Sequence, residues 1–162
     1  FIWLVIKSSF ISIALSILII YIVCSIFFKS WKFGLLSIIP LVSAIIVNFG
    51  LMGLFGIELT HMTAILSSVI IGVGVDFSIH YTSEYRDLIK LKEPNKTIKT
   101  INNVGHPILL DALSNMGFAS LMLSSIIPMA QIGGLMVFAM AACSFGTLTI
   151  LASSIEYFKH KL

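Results

Sequence analysis

Four side chains set in otherwise apolar runs have the types and spacing for proton chemistry. Asp76 and His80 are four residues apart, and so are Asp111 and Asn115. On a helix each pair shares a face. Asp76 is the hardest to place without a function, because it lies in Ile70-Ile71-Gly72-Val73-Gly74-Val75-Asp76-Phe77-Ser78-Ile79-His80. A carboxylate near the middle of a membrane-spanning helix costs about 2.5–3.5 kcal/mol on insertion. Such a group faces a protein interior or a wet cavity, where it binds an ion, relays a proton or pairs with a partner. Gly72 and Gly74 remove side-chain bulk from the turn before it, which lets a second helix pack closely.

Depth follows from the rise of about 1.5 Å per residue, counted from the basic end of each span. Asp76 then lies roughly 13 Å deep and His80 roughly 8 Å, with Asp111 roughly 6 Å and Asn115 roughly 12 Å deep. Adjacent helices would set Asp76 level with Asn115 and His80 level with Asp111, a polar ladder able to pass protons. Plainer roles exist beside this one. His80 is either a ladder member or an interfacial histidine, and Asp111 either a ladder member or a carboxylate that caps or snorkels at its helix start. Asn48 and the serines and threonines are expected to bond helix backbones or neighbours. His61, His106 and His160 sit at membrane edges. No pair of residues has a metal-ligand spacing, and no cofactor motif or nucleophile–base pair is present, so neither a cofactor nor an enzyme is expected. Cys24 and Cys143 lie in apolar runs and read as small hydrophobes.

These residues need a membrane scaffold. The chain has 162 residues, 58% hydrophobic and 10% charged, with mean hydropathy +1.07. That composition predicts an all-α, polytopic transmembrane bundle rather than a soluble domain. Five runs are long enough to span: Phe10–Phe28, Gly34–Leu54, Met62–Tyr85, Pro107–Ile127 and Gln131–Ile155. They are helices because a lone strand cannot satisfy its backbone in lipid. Pro40 is expected to kink the second, and the glycines at 50, 53, 56, 133, 134 and 146 to serve close packing or hinges. The connector Arg86–His106 is the long polar one, with a turn at Pro94-Asn95 and a short surface helix over Lys96–Val104 before Gly105 and Pro107 restart the chain.

The net charge of +3 does not form a basic stripe, so nucleic acid is not an expected partner. Nine of the ten basic residues fall on one side: Lys29, Lys32, Arg86, Lys90, Lys92, Lys96, Lys99, Lys159 and Lys161. Only Lys7 falls on the other. The positive-inside rule places the N-terminus outside and the C-terminus in the cytoplasm of a multi-pass protein of the inner (plasma) membrane.

The ordered motifs resemble the resistance–nodulation–division (RND) superfamily. Gly72-Val73-Gly74-Val75-Asp76-Phe77-Ser78-Ile79-His80 followed by Tyr85-Arg86 is similar to its fourth-helix motif. Phe27-Phe28-Lys29-Ser30-Trp31-Lys32 resembles the link between its second and third helices. Ile108-Leu109-Leu110-Asp111-Ala112-Leu113-Ser114-Asn115-Met116-Gly117-Phe118 resembles the start of its fifth helix, and Leu123-Ser124-Ser125-Ile126-Ile127-Pro128 the end. The nearest branch is the MmpL-like and hopanoid-exporter-like group, with Patched and the sterol-sensing proteins further off. The chain departs from the pattern at Phe77, where many members carry tyrosine, and at Asp111, where a threonine-like residue is expected.

The resemblance implies that residues 1–162 are helices two to six of one repeat, cut from a longer polypeptide. The first helix and an extracytoplasmic domain would precede them, and Phe1–Ser9 would be the exit from that domain. It implies proton-motive-force-driven export of lipids or other hydrophobic molecules, with Asp76 carrying the proton; His80, Asp111 and Asn115 stand as relay candidates by their spacing. The implied partners are membrane lipids, a hydrophobic substrate and a second repeat, in the same chain or a second copy. Two relatives share the scaffold with other roles. One is a Patched-like or sterol-sensing domain that reports on lipid without pumping. The other is a protein-translocation accessory subunit, whose Val-Asp-Ala-Asn-type motif differs from Asp76-Phe77-Ser78.

Overall fold

The computed structural model describes residues 2–58 and 60–158, and is built from helices throughout. The order is α1 (Ile2–Phe27), α2 (Trp31–Leu54), α3 (His61–Lys90), α4 (Lys96–Asn115), a 3-10 segment (Met116–Leu123), α5 (Ile127–Gly146), a π-helical turn (Thr147–Leu151) and α6 (Ala152–Phe158). Four stretches are long and apolar enough to cross a membrane: Ile6–Phe27, Trp31–Leu54, Ile65–Lys90 and Ile127–Phe158. The chain is a transmembrane helix bundle, and a multi-pass membrane protein.

The fourth expected span is built differently. The surface helix over Lys96–Val104 is not separate, since α4 runs unbroken through Gly105 and Pro107. Thr100, Gly105, Ile108 and Ala112 are buried along one side of it. That continuous packed face carries the helix past a proline that cannot donate to the carbonyl four residues back. Beyond Asn115 the backbone tightens to 3-10, which rises about 2.0 Å per residue against 1.5 Å in an α-helix. Residues 107–123 therefore reach about 30 Å, the thickness of a hydrocarbon core. Gly133 makes room for this segment. A Cβ there would lie 2.9 Å from Leu121 Cβ, from the Met122 nitrogen and from the Phe118 carbonyl oxygen. Two of those atoms are backbone, which cannot swing aside.

The turns are set by helix ends. Ser30 N–H donates to the Ser25 carbonyl at 3.1 Å and Lys29 N–H to the Ile26 carbonyl at 3.1 Å, closing α1 with Lys29 left-handed at φ 47°. α3 closes the same way, through Glu93 N–H to Leu88 and Lys92 N–H to Ile89, with Lys92 at φ 55°. Glycine favours this position. Lysine accepts the strain and places its charge beside the negative end of the helix dipole. At the opposite end of the bundle Thr60 starts α3. Its hydroxyl accepts from Thr63 N–H at 3.3 Å, while Thr60 N–H donates to Thr63 Oγ1 at 2.8 Å.

The core lies between α2, α3 and α5. Leu41, Ile70, Phe77, Tyr81, Met136, Ala139, Met140 and Cys143 are buried there. α3 and α5 meet at Gly74, where a Cβ would lie 2.6 Å from Cys143 Sγ and 2.9 Å from Leu41 Cδ2. The Cys143 thiol is 3.6 Å from the Gly74 carbonyl oxygen, as donor to it. Pro40 lies inside α2 and faces the second close approach, with a Cβ at Gly146 falling 3.7 Å from Pro40 Cβ. α1 packs on α2 and α3 through Ser9, Ile13 and Cys24, and turns most of its apolar surface outward. Lys159, His160 and Lys161 lie outside the described residues, as does the side chain of His61.

Candidate functional site

α3 has two faces of opposite character. One contains Ile70, Gly74, Phe77, Ser78 and Tyr81 and is buried in the bundle. The other contains Ile65, Val69, Gly72, Asp76 and His80, all exposed at helical spacing. Asp76 and His80 therefore share a face, and it is one that the described residues leave exposed. Among the described residues neither makes a hydrogen bond or an ion pair.

The two glycines before Asp76 take different environments. Gly74 is buried against α2 and α5. A Cβ at Gly72 would meet nothing within 4 Å, so Gly72 packs against no helix among the described residues. It leaves a shallow place beside Asp76 on the uncovered face.

α4 lies against α3. Asp111 is exposed and Asn115 partly so. Their four-residue spacing closes a contact along the helix: Asn115 Nδ2 donates to the Asp111 carbonyl oxygen at 3.1 Å and to Asp111 Oδ1 at 3.4 Å. No hydrogen bond joins either of them to Asp76 or His80, so the rungs between the two helices are not closed. The polar bond that does cross is one the spacing did not suggest. Asn103 Nδ2 donates to Glu84 Oε1 at 2.7 Å, one turn nearer the basic end than His80. The four candidates thus form a polar edge on α3 and α4 rather than a bonded ladder.

Interior polar groups divide in two. Ser37 bonds the Phe33 carbonyl at 2.9 Å and approaches Thr82 Oγ1 at 3.3 Å, and Thr147 bonds the Cys143 carbonyl at 2.9 Å. These fit the expectation for hydroxyls in spans. Asn48 does not. It is 1% exposed, and neither amide atom has a hydrogen-bond partner. Ser78 and Tyr81 are likewise buried with unpaired oxygens. Buried polar atoms without partners are costly, so the bundle interior holds more polar character than the apolar runs suggest.

Near the loop that joins α2 to α3 a cavity of about 340 Å³ opens between α2, the 3-10 segment and α5. Leu51, Phe55, Ile57, Met122, Leu135 and Phe138 line it, with Gln131 as the polar member. Its chemistry suits an acyl chain or another apolar body. Among the described residues no cluster of three or more His, Cys, Asp or Glu side chains is arranged for a metal ion.

Comparison with known proteins places these features in a family. The profile of the family described as "Sterol-sensing domain of SREBP cleavage-activation" matches residues 26–151. A membrane protein of Methanocaldococcus jannaschii is 30% identical over 139 residues, which cover 84% of this chain and 36% of that protein. The dispatched homolog 1 proteins of Mus musculus and Homo sapiens are 29% and 30% identical over 108 residues, covering 66% of this chain and 7% of each. The chain thus spans about a third or less of the length of these curated relatives. No solved structure gives a significant match.

Proposed function

The chain belongs to the sterol-sensing domain family, and on that premise we propose that it is part of an RND-type lipid exporter in which Asp76 carries the driving proton. Lipid-related transport or sensing in the membrane is the common ground of this family reading. The finer reading rests on one observation: Asp76 and His80 stand on a face of α3 that this chain leaves uncovered. A carboxylate at that depth is not left against lipid. The face therefore belongs to a wet crevice or to another protein element, and a second repeat, in the same polypeptide or a second copy, is the natural occupant. Gly72 would let that element come close. Residues 1–162 would then be one partial repeat of a longer transporter, with the basic end in the cytoplasm and the N-terminus outside the plasma membrane.

A proton-carrying role asks for a group that changes charge during the cycle. Asp111 and Asn115, already bonded to each other, would extend the polar edge toward the basic end. The apolar cavity at the opposite end would receive part of a hydrophobic substrate.

A second reading is favoured by the family match itself: a sterol-sensing domain that binds lipid and reports on it without pumping. Lipid export from cells or vesicles by wild type and Asp76→Asn, with and without an imposed pH gradient, separates the two. Gradient-dependent export that the substitution abolishes supports the exporter. Saturable lipid binding with no gradient-dependent export in the wild type supports the sensor.

A further inference from the structure

We propose that the cavity around Arg86, at the basic end of the bundle, binds a phosphate oxyanion. The cavity has a volume of about 640 Å³ and is lined by Phe33, Tyr85, Arg86, Glu93, Lys96 and Glu156 among others. It lies away from Asp76, at the end of α3 where the helix passes into the connector.

Two aromatic rings hold Arg86. Its Cζ lies 5.5 Å from the centroid of the Phe28 ring and 5.4 Å from that of Phe33. Both rings are buried. Cation–π contact with both rings holds the guanidinium. Among the described residues no carboxylate or carbonyl accepts a hydrogen bond from its N–H groups. The neighbouring charges are committed elsewhere. Lys90 pairs with Asp87 at 2.7 Å. Lys99 holds Glu93. Thr97 Oγ1 donates to Glu156 Oε2. Among the described residues Arg86 and Lys96 have no carboxylate partner, and Glu93 and Glu156 are the opposing charges in the same cavity. A rigid fork with open donors matches a tetrahedral oxyanion in two-point geometry. Basic pockets at this level between spans are where phosphate-bearing headgroups are recognised. The ligand is either the phosphodiester of a membrane lipid or free phosphate, and the two share this chemistry.

Native mass spectrometry of the protein, with phosphatidylglycerol offered against a glucosyl diacylglycerol of the same acyl chains, tests the site. Wild type should retain the phosphate lipid about tenfold over the sugar lipid, the scale of one charge-assisted bidentate contact. Arg86→Gln should erase the preference. Arg86→Lys should keep part of it, because an ammonium cannot bind in the forked mode. Lys96→Gln should weaken it several-fold, and Lys92→Gln, off the cavity, should leave it unchanged. Titration with inorganic phosphate names the source: displacement of the lipid assigns free phosphate, and its absence assigns the headgroup. Equal retention of the two lipids by wild type with no binding of inorganic phosphate overturns the proposal. So does a preference as large as that of wild type in both Arg86→Lys and Lys96→Gln, two variants that keep the fold testable if Arg86→Gln does not assemble.

Discussion

Asp76 and Phe77 are neighbours in the chain and opposites in environment. Phe77 is 0% exposed, packed in the core between α2, α3 and α5, while Asp76 faces outward. The resemblance sets a tyrosine at this position in many relatives, and a hydroxyl there invites the idea of a hydrogen bond to the carboxylate. In this chain the side chain of residue 77 enters the core, away from the face that carries Asp76. The hydrogen-bonding partners of Asp76 are therefore to be sought on whatever covers that face.

Phe77→Tyr follows as a test of this arrangement. The added hydroxyl would be buried without a partner and should cost about 1–3 kcal/mol. A lower midpoint in thermal unfolding of the detergent-solubilised protein, with proton coupling retained, is the expected result. Unchanged stability would mean that the hydroxyl finds an acceptor, and that residue 77 is not enclosed as described.

Packing predicts a contrast between Gly74, Gly72 and Val69. A Cβ at Gly74 already meets Cys143 and Leu41, so Gly74→Leu should cost about 1–3 kcal/mol or more by overpacking. Val69→Leu, at a side chain 41% exposed, should stay within about 0.5 kcal/mol. Gly72→Leu should leave the fold of this chain intact and, if the proposed second repeat covers this face, impair the proposed transport by blocking it. Thermal stability in detergent and export by the assembled protein read the two effects apart. Loss of stability in Gly72→Leu would place that glycine inside this bundle instead.

Orientation can be read with thiols. Cys24 and Cys143 are buried and give little background. Cysteine placed at Glu58 should react with a membrane-impermeant reagent on intact cells, and cysteine at Lys92 only after the membrane is opened. The reverse pattern would invert the topology.

Much of this was legible in the sequence because lipid leaves the backbone few choices. Uniformly apolar runs gave the helices, and the segregated lysines gave the common basic end. Asp76 and His80 share a face, as their four-residue spacing requires, and Asn115 bonds Asp111 for the same reason. Helix rotation was not legible. A period of 3.6 tells which residues align, but not which neighbour they address, so the rungs that the spacing predicts between α3 and α4 are absent from the structure. The switch to 3-10 at Met116 was hidden as well. It depends on Gly133 in another helix, and glycine in an apolar run signals close packing without naming its partner. The setting of Arg86 was not legible either, because Phe28 and Phe33, whose ring centroids lie 5.5 and 5.4 Å from its Cζ, are distant in sequence.

The account stands most directly on proton movement through Asp76. The full-length protein in liposomes with a pH-sensitive dye inside should dissipate an imposed pH gradient faster when its lipid substrate is present. Asp76→Asn keeps the size of the side chain and removes its titration, so substrate-dependent proton uptake should fall to that of empty liposomes, while Asp76→Glu should retain part of it. Proton uptake in Asp76→Asn equal to wild type would contradict the account and reduce Asp76 to a structural residue at an interface.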